Sequence, residues 1–241
     1  MSHHNHLEEP LSEQSLSSLS LTHVEFNPKD PLSYTYAYIT LSPLIILISY
    51  VSIIVARREL MMINMFFGQL FCEMLNFGLK KWIKEKRPNG INTLLIYVYI
   101  DKLGSGYGMP SSHAQFISYF ATFASIYLYY KITFHNNSRK FPIILGLIIF
   151  SCLVSYSRVY LIYHTTKQVI VGNIFGLTFA IFWYILLEKI IRPLGIFKII
   201  IESRLARYFY IRDNSSVKDI AKIEYMNWLT LIGEKEGQKT D

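Results

Sequence analysis

The sequence predicts an all-α fold, a polytopic transmembrane helix bundle of about five spans, with four to six as its limits. Three observations carry that expectation. Half of the residues are hydrophobic (51%) and 15% are aromatic, with a mean hydropathy of +0.27. Soluble domains reach similar averages, but here the apolar residues are concentrated in charge-free stretches able to cross a hydrocarbon core of about 30 Å. The loops between these stretches are short, with no internal repeat or low-complexity linker. A chain that stays in lipid must satisfy its backbone internally, and helices do so segment by segment.

In chain order, residues 1–32 form a polar tail. It carries Glu8, Glu9, Glu13 and Glu25 and lacks the apolar core of a cleavable leader. The first span is therefore expected to act as an uncleaved anchor. His3, His4 and His6 are read as part of this tail rather than as a metal site. Ser33 to Ala56 has no formal charge, and Leu60 to Leu79 carries only Glu73. Ala114 to Tyr130, Phe141 to Ser157 and Gln168 to Leu187 are uncharged. The third and fourth of these stretches are short for a span. Ile91 to Ile100 is apolar over only about ten residues, which reads as re-entrant or interfacial. Pro193 closes the last span, because proline cannot continue a helix interior. Beyond it, Ile196, Phe197, Ile200, Ile201, Leu205, Tyr208 and Phe209 alternate with Lys198, Arg204, Arg207 and Arg212. That spacing predicts an amphipathic helix on the membrane surface, with a sixth short span as the alternative. Gly233 to Asp241 is expected to have no fixed structure. The organisation is thus a tail (1–32), a transmembrane domain (33–191) and a basic amphipathic cytoplasmic tail (192–241).

The net charge of +7 does not point to nucleic acid. Ten of the 24 basic residues follow Glu188, the pattern of a cytoplasmic tail lying against anionic lipid. With five spans, the N-terminal tail, the Lys80–His113 loop and the Ser157–Lys167 loop share one face. The Arg57–Arg58 loop, the Lys131–Lys140 loop and the C-terminal tail share the other. The positive-inside rule makes the second face cytoplasmic. The first then points to a lumen or the outside, although Lys80, Lys81, Lys84, Lys86 and Arg87 lie on it. The sequons Asn136-Asn137-Ser138 and Asn214-Ser215-Ser216 fall on the cytoplasmic side and are expected to carry no glycan. Cys72 and Cys152 fall mid-span and imply neither a disulfide nor a metal-type spacing.

Three polar segments lie at the edges of the apolar stretches. They read K-x6-R-P from Lys80 to Pro88, P-S-S-H from Pro110 to His113, and S-R-x5-H-x3-Q from Ser157 to Gln168. Ionisable residues at a membrane edge are costly and mark functional sites. Lys80 and Arg87 are seven apart, two helical turns, which predicts a shared helix face that also carries Lys84. Pro88 disfavours helical geometry at Arg87, so the helix is expected to end there. Guanidinium suits bidentate phosphate binding, whereas ammonium acts as a point charge. In the second segment, Gly104, Gly106 and Gly108 let backbone approach a ligand. Ser111 or Ser112 suits the N-cap of the following span, a ready anion site with His113 in its first turn. In the third, His164 and Gln168 are four apart and share a helix face. Gln168 is placed to hold one ring nitrogen of His164 and leave the other free to attack, with Arg158 as a second guanidinium. Taken singly, these segments also read as a basic anchor, a capped turn and a polar loop. Their joint occurrence on one predicted face points to phosphate chemistry.

The three segments resemble the motifs of the type 2 phosphatidic acid phosphatase (PAP2) superfamily, K-x6-R-P, P-S-G-H and S-R-x5-H-x3-D. Ser112 stands where the superfamily has Gly, and Gln168 where it has Asp. Both departures, within Tyr107-Gly108-Met109-Pro110-Ser111-Ser112-His113, look like the dolichyl diphosphate phosphatase branch. The likeness reaches Tyr208-Phe209-Tyr210-Ile211-Arg212-Asp213 and Glu224-Tyr225, and it covers roughly residues 35–228. It implies a multi-pass hydrolase of the endoplasmic reticulum membrane with its active site facing the lumen. The implied reaction converts a polyprenyl diphosphate lipid, dolichyl diphosphate, to the monophosphate, recycling the lipid carrier of protein N-glycosylation. In the implied mechanism His164 attacks phosphorus to give a phosphohistidine, and His113 serves as general acid and then base. Lys80, Arg87 and Arg158, with backbone N–H groups near Ser111 and Ser112, would hold the phosphoryl oxygens. No cofactor, metal or protein partner is indicated; Asp101 is a lone acid in its loop. Gln168 supplies a hydrogen bond where Asp would also supply charge. Two other readings stay open: a broad-specificity lipid phosphatase acting on phosphatidate or a sphingoid phosphate, and a non-catalytic lipid-phosphate-binding membrane protein.

Overall fold

The computed structural model describes residues 17–19, 24–88, 106–134, 137–217 and 219–237. The expectations for His3, His4, His6, Ile91 to Ile100, Asp101, Gly104 and Asn136 fall outside the described residues. In the N-terminal tail, β1 (Ser17–Leu19) pairs antiparallel with β2 (Val24–Phe26). All later regular structure among the described residues is helical, apart from a single bridge between Glu59 and Arg212.

Asp30 caps α1 (Pro31–Ile39), its carboxylate accepting from Leu32 N–H at 3.0 Å, and Pro31 takes the first turn, where its missing N–H is harmless. The chain breaks at Thr40 and Leu41 and continues as α2 (Ser42–Arg57), so that Pro31–Arg57 forms one apolar pass. Left-handed residues end both α2 and α3 (Leu60–Ile83): Arg58 at φ 51° and Lys84 at φ 53°. The remaining bundle helices are α4 (Ser112–Tyr130), α5 (Lys140–Tyr160) and α6 (Thr166–Ile185). A π-helical turn, Leu186–Ile191, extends α6 to just before Pro193.

Among the described residues, four passes are long and apolar enough to cross a membrane: Pro31–Arg57, Leu60–Ile83, Asn137–Tyr160 and Thr166–Ile191. The fifth, α4, has 19 residues, about 28 Å at 1.5 Å per residue, but is less apolar. Its position explains the difference. It lies at the centre of the bundle, packed on α3, α5 and α6. Gln115, Phe116, Ile117, Ser118, Tyr119 and Phe123 are buried along it, and only Tyr129 and Tyr130 at its end are exposed large apolar residues. The helices around it instead expose Ile48 and Val55 on α2, Met74 on α3, Ile149 on α5 and Phe182 on α6, the surface that lipid covers. A helix shielded from lipid can carry polar groups.

Polar groups and small residues hold helices together where lipid leaves little hydrophobic drive between them. Asn76 Nδ2 donates to Gln115 Oε1 at 2.7 Å, and Gln115 Nε2 donates to Cys72 O at 2.8 Å, joining α3 to α4. Ser118 Oγ donates to Asn173 O at 2.8 Å, joining α4 to α6. α6 approaches α4 closely at Gly172 and Gly176. A Cβ at Gly172 would lie 2.6 Å from Ser111 O, and one at Gly176 would lie 2.2 Å from Gln115 O.

After Pro193 the expected single amphipathic helix is broken. α7 (Ile196–Glu202) stops at Ser203, which leaves helical geometry at ψ 151° and caps α8 (Arg204–Tyr208) by accepting from Ala206 N–H at 3.2 Å. The following residues return to the bundle. Arg212 N–H donates to Arg58 O at 3.0 Å, and Leu60 N–H donates to Arg212 O at 2.9 Å. Asp213 pairs with Arg192, and Glu224 pairs with both Arg57 and Arg212. α9 (Ile220–Gly237) includes Gly233 to Gly237, which the sequence left without structure. The two bundle ends therefore differ. Tyr160 OH donates to Asp30 Oδ2 at 2.6 Å at one end, and the tail docks on the other.

Candidate active site

The end of the bundle opposite the docked tail collects residues from five short segments. Lys80, in the last turn of α3, is buried and donates to Ser112 Oγ at 2.8 Å. Arg87 does not share its helix face, contrary to the sequence expectation. Lys84 turns left-handed and ends α3 at Ile83, so Lys84 is the cap residue and Arg87 lies in the non-helical segment after it. That segment folds back onto the second motif, with Gly108 N–H donating to Glu85 O at 2.7 Å. The Arg87 charge still bears on Lys80, His113 and His164.

Ser111 occupies the N-cap position of α4 with extended backbone, and its N–H donates to Gln168 O at 3.1 Å. Its hydroxyl makes no cap bond and has no partner among the described residues. The amino terminus of α4 thus lacks a side-chain cap, which suits it to an anion. His113 sits half-buried in the first turn, within reach of the charges of Arg158, Lys80 and Arg87.

Arg158, in the last turn of α5, is buried and held from two sides. One guanidinium nitrogen donates to Thr40 Oγ1 at 2.5 Å, and the guanidinium lies 4.2 Å from the centre of the Tyr163 ring. Its Nε has no hydrogen-bond partner among the described residues. Exposed Ile162 then adopts φ 58°, an outlier for a β-branched residue, strained by about 1–3 kcal/mol. The turn it makes directs the N–H groups of Tyr163 and His164 onto Arg158 O, both at 3.1 Å, and returns the chain to α6 with His164 buried.

Thr165 and Gln168 form a capping box that starts α6. Four contacts fix the Gln168 amide. Its Oε1 accepts from Thr165 N–H at 3.3 Å and lies 3.1 Å from His164 Nδ1. Its Nε2 donates to Glu85 Oε1 at 3.1 Å and to Lys86 O at 2.8 Å. A flipped amide would set NH2 against N–H and oxygen against two acceptors. The amide orientation therefore assigns the proton to His164 Nδ1 and the lone pair to Nε2. Gly108 leaves room for this group, since a Cβ there would meet Gln168 Nε2 at 2.6 Å.

Lys80 and Arg158 are buried, and neither forms an ion pair among the described residues. Withdrawing an unpaired cation from water costs several kcal/mol, so this cluster is built to take an anion. Burial above all, followed by the charges of Arg158, Arg87 and Lys80, pushes the His164 ring well below the ordinary 6.5, against the opposing effect of its Gln168 hydrogen bond. The ring is neutral at pH 7, and a neutral imidazole beside such a cluster can attack bound phosphorus.

The site residues named from the sequence, Lys80, Arg87, Ser111, Ser112, His113, Arg158, His164 and Gln168, lie at this one end. Direct hydrogen bonds join Lys80 to Ser112, Ser111 to Gln168, and Gln168 to His164; Arg87, His113 and Arg158 join through charge. Sequence reasoning missed Glu85 and Thr40. Only Glu85 had a signal: a neutral residue at Gln168 leaves a histidine that needs a countercharge from elsewhere.

The profile of the PAP2 superfamily matches residues 61–192. Dolichyldiphosphatase 1 of Dictyostelium discoideum is 39% identical over 219 residues, covering 90% of this chain and 91% of that protein. Dolichyldiphosphatase 1 of Homo sapiens is 36% identical over 213 residues, 86% of each chain. Lipid phosphate phosphatase gamma of Arabidopsis thaliana is 33% identical over 231 residues, 95% of this chain and 98% of that protein. No solved structure matches the chain.

Proposed function

The chain belongs to the PAP2 superfamily, and from that membership we propose that this multi-pass membrane protein hydrolyses dolichyl diphosphate to dolichyl phosphate and phosphate. One observation carries the chemistry: a histidine with its tautomer fixed by Gln168 stands beside two buried cations that have no ion-pair partner among the described residues. Relatives named dolichyldiphosphatase, alignable over most of the chain, support the substrate.

In this reading His164 Nε2 attacks the terminal phosphorus. The N–P bond forms as the bond from phosphorus to the bridging oxygen breaks, and His113 gives that oxygen a proton. Water then attacks the phosphohistidine, His113 takes its proton, the N–P bond breaks and phosphate leaves. Lys80, Arg87, Arg158 and the N–H groups at Ser111 and Ser112 hold the equatorial oxygens, and positioning with charge stabilisation supplies most of the acceleration. These basic groups can meet the countercharge requirement without a metal ion.

Phosphate release by the detergent-purified protein, measured in EDTA on dolichyl diphosphate and phosphatidate, tests this. A clear preference for the diphosphate is expected. Equal turnover of phosphatidate would favour a broad lipid phosphatase, the reading suggested by the similarity to lipid phosphate phosphatase gamma. No turnover of either would favour a binding protein.

The lowered His164 pKa gives a second expectation. Its protonated form is withheld until the pH falls well below 6.5, so the free ring stays acylable at pH 6. Inactivation by diethyl pyrocarbonate, which needs neutral imidazole, should keep its rate from pH 7 to pH 6 and decline only below that. A decline centred near 6.5 would mean that neither burial nor the neighbouring cations lower the ring's pKa.

In this reading the site end faces the lumen of the endoplasmic reticulum and the docked basic tail faces the cytoplasm, the side that the positive-inside rule assigns to it. A glycan found on Asn214 would reverse this orientation.

A further inference from the structure

We propose that Glu85 is a positioning residue for the phosphoryl-transfer step, acting on His164 through the side-chain amide of Gln168. The inference rests on the His164 route just given. Two adjacent observations lead to it. Gln168 Nε2 donates to Glu85 Oε1 at 3.1 Å while Gln168 Oε1 lies 3.1 Å from His164 Nδ1, so carboxylate, amide and imidazole form one chain. The second Glu85 oxygen accepts from Lys167 Nζ at 3.1 Å, which fixes the carboxylate in place. Burial works against the charge of Glu85, but the hydrogen bonds from Gln168 and Lys167 prevail and hold it below the usual carboxylate range.

The chemistry follows from that chain. When Nε2 of His164 takes the phosphoryl group, the ring becomes a cation. A carboxylate bonded directly to Nδ1 would stabilise it; here a neutral amide occupies that place. An amide that donates to a carboxylate carries more negative charge on its own oxygen, because hydrogen bonds in a chain polarise one another. Glu85 thus returns, one amide removed, the charge that Gln168 lacks. It also locks the amide orientation, and with it the His164 tautomer. No proton leaves Glu85, and no bond to it forms or breaks.

The test is a pair of substitutions examined singly and together in the full-length, detergent-purified protein. Glu85→Gln is expected to lower kcat about 10- to 100-fold, the range for a hydrogen-bonded partner behind a reacting group, with KM changed less than about threefold. Single-turnover formation of phosphohistidine should slow by the same factor as kcat. In a Gln168→Asp protein the sign should reverse. A carboxylate then meets the ring directly, Glu85 becomes a repelling neighbour, and adding Glu85→Gln should raise kcat. Glu85→Ala, which introduces no misplaced NH2, is the second variant if Glu85→Gln does not purify as a folded protein. Equal loss from the Glu85 change in both backgrounds would mean that Glu85 only holds its loop, and would overturn the inference. Full kcat in Glu85→Gln together with a dead His164→Ala would overturn it too while leaving the histidine route standing. Turnover by His164→Ala would remove the route itself, and the role of Glu85 with it.

Discussion

Replacing His164 by alanine is expected to abolish phosphate release, with kcat reduced on the order of 10⁴-fold or more, as happens when a covalent nucleophile is removed from a working set. The phosphate cradle should survive, because Ser112 holds Lys80 and Thr40 holds Arg158 without the imidazole. Inorganic phosphate or vanadate should therefore still protect the variant against proteolysis or thermal unfolding about as well as it protects the parent. The converse variant, His113→Ala, keeps the nucleophile and loses the proton carrier. It should form phosphohistidine and hydrolyse it slowly, so that the phosphoenzyme accumulates. The measurement is acid-labile, alkali-stable phosphate bound to protein after a rapid quench. His164→Ala protein that still turns over substrate at more than about a hundredth of the parental rate would rule out the covalent route. No phosphoenzyme in either protein, with activity present in the parent, would point to direct attack by water.

The sequence exposed part of this site because membrane edges penalise idle charge. Lys80, Arg87, His113, Arg158 and His164 are visible one by one as ionisable residues at the margins of apolar stretches. The contacts that position them were not visible, since they are made between distant parts of the chain. Thr40 meets Arg158 across 118 positions, and Glu85 meets Gln168 across 83. Neither Thr40 nor Glu85 has anything unusual in its own neighbourhood. The one misread motif has a local cause. Spacing of seven at Lys80 and Arg87 implies a shared face only if the helix continues, and the left-handed conformation of Lys84 stops it. A lysine in that conformation is not foreseeable from its own residue type. The tail was misread for a related reason: Ser203 ends α7 and caps α8, while the hydrophobic spacing runs on past it. A bundle of about five spans was legible, and the described residues hold four such passes and the less apolar α4. That α4 would be sheathed by the others was not legible. Its Gln115, Ser118 and Tyr119 look like a weak span and are the polar contacts of a central one.

Gly176→Leu is expected to damage stability and activity together, and the pattern around it tells why. The added Cβ would lie 2.2 Å from Gln115 O and 2.9 Å from Tyr119 N, both backbone atoms of α4, which cannot rotate away. The helices must separate, and overpacking of this kind costs about 1–3 kcal/mol or more. For a chain of this size that lowers Tm by about 2–12 °C. Gly172→Ala meets Ser111 O at 2.6 Å and should act in the same direction. Gly78→Ala and Gly146→Ala serve as controls, since a Cβ at either meets nothing within 4 Å, and both should leave Tm and turnover near those of the parent. Activity should fall further than stability in the Gly176 variant. The phosphate cradle is divided between the two helices that the glycines hold together: Ser111, Ser112 and His113 begin α4, whereas Gln168 begins α6 just after His164. The backbone bond from Ser111 N–H to Gln168 O, 3.1 Å long, is made across that same interface. Moving α4 outward by an ångström carries the acid His113 and the anion-binding helix terminus away from the nucleophile, and misplacement on that scale can cost about 10²-fold in rate. A Gly176→Leu protein with parental Tm and parental kcat would show that the helices have another way to pack, and that the spacing between His113 and His164 is set elsewhere.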